Sequence, residues 1–307
     1  MSDFHKAMNN YKRFLAYYWI TWKVYYTWWD PLLHPNFWNI MDETKKHWLE
    51  SAIFWNFHLL NDENIQKLCD NDIKFYQLSM EWLRETHDNI RWEWTFIWVI
   101  DSIAKLEQKW IYTLVNMTLS KMNIDQLIPL IEFLAYHTNL SRFDFVRIVP
   151  IWKASKNIML SDAELKSIFL KILELEKKIK KDWKKMVIWK KDHLWKLLYY
   201  QSDKLNINLK DQTAGCWMGY RHLTVIENWD IYLCRKLPIK IWNIITDDLI
   251  EIYENNTIIS DVLNLNYVVW CHWCKLEYVC RWCPAVTYWL NNNLTKKDPQ
   301  CRQNYLY

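Results

Sequence analysis

Seven cysteines crowd into the last third of the chain, and thiolates at close spacing hold soft metals. Twelve residues, Trp229 and four more residues separate Cys216 from Cys234. The run Cys271-x2-Cys274-x5-Cys280-x2-Cys283 follows, and Cys301 comes last, behind Asp298-Pro299-Gln300. A 4Fe–4S cluster takes one thiolate per iron, so this set is large enough for two clusters. Zinc is the rival, because Cys271, Cys274, Cys280 and Cys283 alone make a four-thiolate site. A secreted disulfide protein seldom gathers its cysteines behind a long cysteine-poor stretch, whereas a cytosolic metal domain does. The expected location is therefore cytoplasmic. Cys69 stands alone and reads as a buried structural thiol.

The composition departs from the ordinary in one respect. The 307 residues include 2 Gly and 23 Trp. About 7% glycine is usual, and Gly and Trp together make about 8% of this chain. Indole belongs on the apolar phase of helices and strands. Here Trp stands at element ends, beside polar residues and in pairs. Asn228-Trp229-Asp230 lies between the β-like runs Leu223–Ile226 and Ile231–Cys234, where a hairpin needs positive φ. Trp110 follows a helical pattern where a C-cap glycine belongs. Trp273 and Trp282 fill tight gaps among the cysteines, where a large ring crowds a metal. The expectation is that most or all of these residues are glycine in the living protein, encoded by a reassigned UGA codon.

The elements that must position the chemistry alternate helix and strand. Helical patterns cover Phe4–Tyr17, Phe37–His47, Asp62–Asp70, Phe96–Lys109 and Ile124–His137. Strand patterns cover Val24–Thr27, Ser51–Phe54, Phe75–Ser79, Tyr112–Met117 and Asp144–Val149. This alternation implies an α/β fold with a parallel sheet, its ligand chemistry at the C-terminal strand ends. Asp30, Glu81, Asn116 and Arg147 lie at or near those ends. A long helix is expected over Asp162–Lys181, opened by a Ser161/Glu164 capping box. The lysine-rich stretch from Lys177 to Lys191 is either a solvated helix end or a contact for an acidic peptide. Ile188–Leu209 reads as a linker with some helix. From about Asp211 the pattern turns to short β runs, turns and cysteines. A net charge of +4 from balanced residues gives no argument for nucleic acid. No apolar run is long enough for a transmembrane helix, and Met1–Tyr18 has no signal-peptide core.

With Trp read as glycine, the C-terminal region resembles a SPASM domain, the cysteine-rich extension of many radical S-adenosylmethionine (SAM) enzymes. Trp229 stands where that family has a glycine five residues before its second cysteine. Cys280-Arg281-Trp282-Cys283 departs from it, since the family usually has three residues in this gap. The first part resembles the radical SAM core. Thr27-Trp28-Trp29-Asp30-Pro31 is similar to the family's Thr-Gly-Gly-Glu-Pro motif, with Asp for Glu. Gln77–Leu83 and His87–Trp92 resemble the fourth-strand segment, and Val146–Lys153, with Pro150 and Trp152, the sixth-strand end. The family's CxxxCxxC loop is not in this sequence. The expectation is that the chain begins at the first helix, with the first strand and that loop upstream of Met1, and that the polypeptide as given does not cleave SAM.

The resemblance implies a partial (β/α)6 TIM-type barrel lacking its first strand, over residues 1–155. A helical connection over 156–210 and a SPASM domain of α+β type over 211–307 follow. It implies an oxidoreductase-type enzyme that forms a 5′-deoxyadenosyl radical from SAM and modifies a peptide or protein, served by a small redox protein as electron donor. Trp28, Trp29, Asp30, Pro31, Ser79, Arg91 and Asn116 would line the SAM pocket. Cys216, Cys234 and Cys283 would hold one auxiliary 4Fe–4S cluster, its fourth iron open or bound by a non-cysteine ligand. Cys271, Cys274, Cys280 and Cys301 would hold the second. Sulfatase-maturing members carry Asp after the cysteine matching Cys234; Arg235 stands here and argues against that activity. The alternatives are a non-catalytic iron–sulfur protein for electron transfer or peptide binding, and a zinc-stabilised Trp-rich binding module.

Overall fold

The computed structural model describes residues 1–21, 23–27, 31–54, 57–91, 93–151, 156–199, 216–219, 222–264, 271, 274, 276 and 280–301. The chain forms two compact units. The first comprises Met1, Tyr18–Val146 and Leu170–Trp189; the second comprises Ser2–Tyr17, Arg147–Phe169 and Lys190–Tyr307. This division does not coincide with one at residues 155 and 210. Helix α1 (Ser2–Tyr17), expected as the first helix of the barrel, belongs to the second unit. There it lies against α8 (Leu249–Asn255), where the Asn10 carboxamide donates to the carbonyls of Ile244 and Asp247 at 2.9 and 2.7 Å.

In the first unit six strands lie side by side in chain order, β1-β2-β3-β4-β5-β6. They are β1 (Lys23–Thr27), β2 (Glu50–Phe54), β3 (Phe75–Ser79), β4 (Tyr112–Leu119), β5 (Arg142–Arg147) and β6 (Val187–Trp189). Their connections carry α2 (Phe37–Lys46), α3 (Asp62–Asp70), α4 (Arg84–Arg91), α5 (Thr95–Gln108), α6 (Leu127–His137) and α7 (Asp162–Lys181). The result is an α/β partial barrel. Strand β6 falls in the stretch expected to be a linker, since three residues carry too little periodicity to announce a strand. The capping box is present: Glu164 accepts from the Ser161 amide at 2.6 Å, and Ser161 Oγ accepts from the Glu164 amide at 3.2 Å.

Paired residues of neighbouring strands share a face. Ile53, Tyr76, Leu78, Val115 and Met117 line one face and are fully buried, as are Val99, Ile103 and Leu106 of α5. The opposite face carries an aromatic ladder across β1–β4, from the middle of β1 and the last residue of β2 to the first residues of β3 and β4. Tyr25–Phe54, Phe54–Phe75 and Phe75–Tyr112 have ring centroids 4.8, 6.0 and 5.7 Å apart. On β3 and β4 this face turns polar after those rings, with Gln77, Ser79, Asn116 and Thr118. Lysines at the end of α7 pair with acids: Lys178 with Glu132, Lys180 with Glu176 and Lys185 with Glu107. With Lys177 on Glu174, four of the eight lysines between 177 and 191 are paired in this way.

Several helices of this unit stop in one way. After α5, the Trp110 amide donates to Glu107 O and the Ile111 amide to Leu106 O, at 3.1 and 3.0 Å. The same pair of bonds follows α2 with Trp48, α7 with Trp183, and α3 with Asp72. This is a Schellman motif, and its turning residue must be left-handed. Accordingly φ is +60° at Trp48, +61° at Trp110, +52° at Trp183 and +56° at Asp72. Trp19, after α1, has φ +53°. Asp tolerates this region; for a bulky side chain it costs about 1–2 kcal/mol. The indoles of Trp19, Trp48, Trp110 and Trp183 are 89–94% exposed, so packing offsets almost none of that cost.

The second unit carries a three-stranded antiparallel sheet of β7 (Thr224–Val225), β8 (Asp230–Tyr232) and β9 (Lys240–Asn243). The expected hairpin joins β7 to β8. The Trp229 amide donates to Ile226 O at 2.9 Å, and Trp229 has φ +69°, the left-handed residue of a bulged turn. Helices α8, α9 (Thr257–Leu263) and α10 (Pro284–Asn291) follow where only short β runs and turns were expected. Among the described residues no helix is long and apolar enough to cross a membrane. In the polypeptide as written, replacing Trp48, Trp110 and Trp183 by glycine is expected to raise stability by about 1 kcal/mol per site. Urea unfolding of single and triple variants measures this, and Asp72→Gly should give a smaller gain.

Candidate metal and cofactor sites

The four thiols expected in the second cluster converge. Cys271, Cys274, Cys280 and Cys301 line one small cavity of about 20 Å³, together with Leu194, Leu197, Leu276, Arg281, Trp282, Lys297 and Asp298. Cys283, three residues from Cys280, does not line it. It belongs with another group, since the charges of both Cys283 and Cys234 act on Cys216, and that of Cys234 acts on Cys283. The zinc set Cys271, Cys274, Cys280 and Cys283 therefore does not surround one space. Among the described residues all eight cysteines are free thiols. Cys69 is half-buried rather than buried.

The tight turns of the cysteine region present these thiols. The Cys274 amide donates to Cys271 O at 2.9 Å, and the Cys301 amide donates to Asp298 O at 2.9 Å. Burial pushes the Cys271 thiol up to about 12 and those of Cys283 and Cys301 up to about 11. Burial likewise raises Cys216 and Cys280. Neutral thiols are thus favoured until a cation takes the place of their protons. One residue fits such a cation badly. The Trp282 ring lines the cavity and packs against Cys271. Its Nε1 is buried without a hydrogen-bond partner, and its φ is +20°. A glycine at 282 would leave that space to a cluster, so the donor set fits a metal group once the indole is gone.

Beside the cavity lies a buried ion network. Arg147 Nε donates to Asp192 Oδ2 at 2.8 Å, and Arg147 Nη2 to Asp298 Oδ2 at 2.9 Å. Arg147 Nη1 donates to Gln300 Oε1 at 2.5 Å. Burial would lower the guanidinium's proton affinity, but Asp192 and Asp298 hold it well above its ordinary value. Burial would raise the Asp192 carboxyl, yet Arg147 holds it below the usual carboxylate range. The sequence placed Arg147 at a strand end; its partners, 45 and 151 residues away, carry no local signal.

In the first unit Ser79 and Asn116 are directly opposed on β3 and β4. Asn116 Oδ1 is buried and accepts no hydrogen bond among the described residues, so an acceptor waits at the polar strand ends. Asn123 and Gln126 brace the loops above. Asn123 Nδ2 donates to Thr118 O at 3.0 Å, and Gln126 Oε1 accepts from the Leu83 amide at 3.0 Å. Pro31 is buried at the start of a 3-10 turn, Pro31–Leu33. Trp28, Trp29 and Asp30 lie outside the described residues, as do Trp92, Trp152, Lys153 and Trp273. Arg91 closes α4, and its side chain lies outside the described set.

No protein-family model matches the chain, and no curated protein matches it. Solved structures do resemble it. The crystal structure of Streptococcus suis SuiB shares 14% identity at a TM-score of 0.73, covering 96% of this chain and 71% of SuiB. SuiB bound to precursor peptide SuiA gives 14% and 0.71, covering 94% of this chain and 67% of that one. Native anSMEcpe with bound AdoMet and Cp18Cys peptide gives 13% and 0.63, covering 87% and 77%. At these identities the likeness is one of fold.

Removing the cation from the buried network, as in Arg147→Ala, is expected to cost about 3–5 kcal/mol in denaturant unfolding, because two carboxylates stay behind. The metal-free protein should lose stability in alkali. Free thiols ionise near pH 8.5 when unfolded, and the buried ones are held up to about 11 or 12, so the unfolded state releases protons first. The contribution is complete below about pH 8.5 and declines above it, read as a melting temperature falling across that range.

Proposed function

We propose that the protein is a radical SAM enzyme of the SPASM class that modifies a peptide or protein. One observation carries the reading: four thiols, scattered over Cys271 to Cys301, line a single cavity in a chain whose fold matches SuiB and anSMEcpe. Cys271, Cys274, Cys280 and Cys301 would hold one 4Fe–4S cluster, and Cys216, Cys234 and Cys283 the other. When bound, the clusters supply single-electron chemistry and SAM supplies a hydrogen-abstracting radical. The chain's own part is positional. Ser79 and Asn116 would offer a hydroxyl and an unused carbonyl oxygen to SAM, with Trp28, Trp29, Asp30 and Pro31 as its other expected contacts. Arg91 would complete the pocket. A small redox protein would deliver electrons.

The same proposal requires glycine at Trp19, Trp48, Trp94, Trp110, Trp183, Trp229 and Trp282. All seven have positive φ, and among the other described non-glycine residues only Asp72, Arg281 and Asn292 do. UGA read as glycine accounts for the set. Some other tryptophans serve as indoles. Trp195 is fully buried against Phe169, at 4.9 Å between centroids, and Trp289 Nε1 donates to Lys236 O at 2.7 Å. The recoding therefore rests on the positive-φ set rather than on all 23 positions.

Protein purified anaerobically with glycine at these seven positions is expected to carry about eight irons per chain. One or two zincs without iron would overturn the cluster reading. Upstream in-frame DNA encoding CxxxCxxC supports the SAM-cleaving enzyme, and its absence favours an electron-transfer or peptide-binding protein. Mass spectrometry of native peptides spanning Trp110 and Trp183 should show glycine; indole masses there sink the recoding. Asn116→Ala should weaken SAM binding about tenfold in calorimetry, the effect of one lost hydrogen bond.

A further inference from the structure

The network around Arg147 does more than satisfy a buried charge. The guanidinium, with its side chain 3% exposed, grips both ends of a short turn. It holds Asp298 through two bonds, of 2.9 and 3.3 Å, and Gln300 through one of 2.5 Å. The turn is tied internally as well. Asp298 Oδ1 accepts the Gln300 amide at 3.0 Å, Asp298 O accepts the Cys301 amide at 2.9 Å, and Gln300 Nε2 donates to Leu160 O at 2.5 Å. Asp298 and Cys301 both line the four-thiol cavity. On the other side Arg147 is anchored through its Nε and backbone amide to Asp192, at 2.8 and 3.2 Å.

A carboxylate in the wall of a four-thiolate cavity adds negative charge where negative charge already accumulates. Without a cation against it, Asp298 would oppose the loading of that cavity. Arg147 is that cation, bonded to both carboxylate oxygens of Asp298. We infer that Arg147 is a positioning residue for the four-cysteine metal group: its fork sets the turn that delivers Cys301, and its buried charge offsets that of Asp298 in the cavity wall. The inference rests on the cluster reading of the proposed function.

The test uses the anaerobically reconstituted protein and three variants. Readouts are iron per chain and the midpoint potential of each cluster by EPR-monitored titration. Arg147→Lys keeps the charge and loses the fork; iron should fall from about eight towards four, with the three-cysteine cluster retained. Asp298→Asn removes a negative charge from the cavity wall and should raise the potential of the four-cysteine cluster. Gln300→Glu adds one and should lower it. These two shifts read charge at the turn whatever holds it, so the iron count carries the test of the fork. Folded Arg147→Lys with wild-type iron overturns the inference. If it does not fold, Gln300→Leu, which frees one end of the turn, is expected to lose the same four irons; wild-type iron there overturns it. If the wild type holds zinc instead of iron, the cluster reading fails. Delivery of Cys301 is then judged by whether Arg147→Lys loses zinc.

Discussion

A parallel sheet built from short connections requires each helix to stop and send the chain back into a strand within a few residues. The backbone does this here by one left-handed residue after α2, α3, α5 and α7, with two reverse hydrogen bonds closing each helix end. That constraint belongs to the fold and is indifferent to the side chain, which points into solvent. Only a residue without Cβ, or a short polar one such as Asp72, occupies it without strain. The barrel's spacing and register follow from those stops.

The cysteine region is governed by the same shortage of space. Its thiols stand on turns so tight that Trp282 takes a low positive φ and lays its ring against Cys271. The indole thus occupies volume that a metal group at the four thiols would need. Arg147 enters this region as a compensating charge. Two buried carboxylates beside the thiols need a cation that cannot leave, and a guanidinium held by three side chains is one.

Much of the fold was legible because its signals are local. Asp62–Asp70, Phe75–Ser79 and Asp162–Lys181 appear at the residues where periodicity and capping put them. The Trp229 hairpin and the Trp110 cap were visible as residues out of phase with their neighbours. The misses are those with weak local signal. Strand β6 is three residues long, α4 is too polar to show an apolar face, and α8 and α9 are seven residues each. Helix α1 has a clear amphipathic pattern, but nothing in it says which unit its apolar face will meet.

For the sites the division is similar. The residue types and their spacing determined that thiols would gather, that Ser79 and Asn116 would fall near strand ends, and that left-handed backbone would recur where Trp is written. These are consequences of steric and ligand chemistry within a few residues. Spacing alone left Cys283 and Cys301 as rivals for the group of Cys271, Cys274 and Cys280. The resemblance implied Cys301, and the tertiary structure lines one cavity with it and not with Cys283. Only the tertiary structure showed that Arg147 meets Asp192, Asp298 and Gln300. Those groupings join segments up to 153 residues apart, and only the packing of their intervening chain brings them within reach.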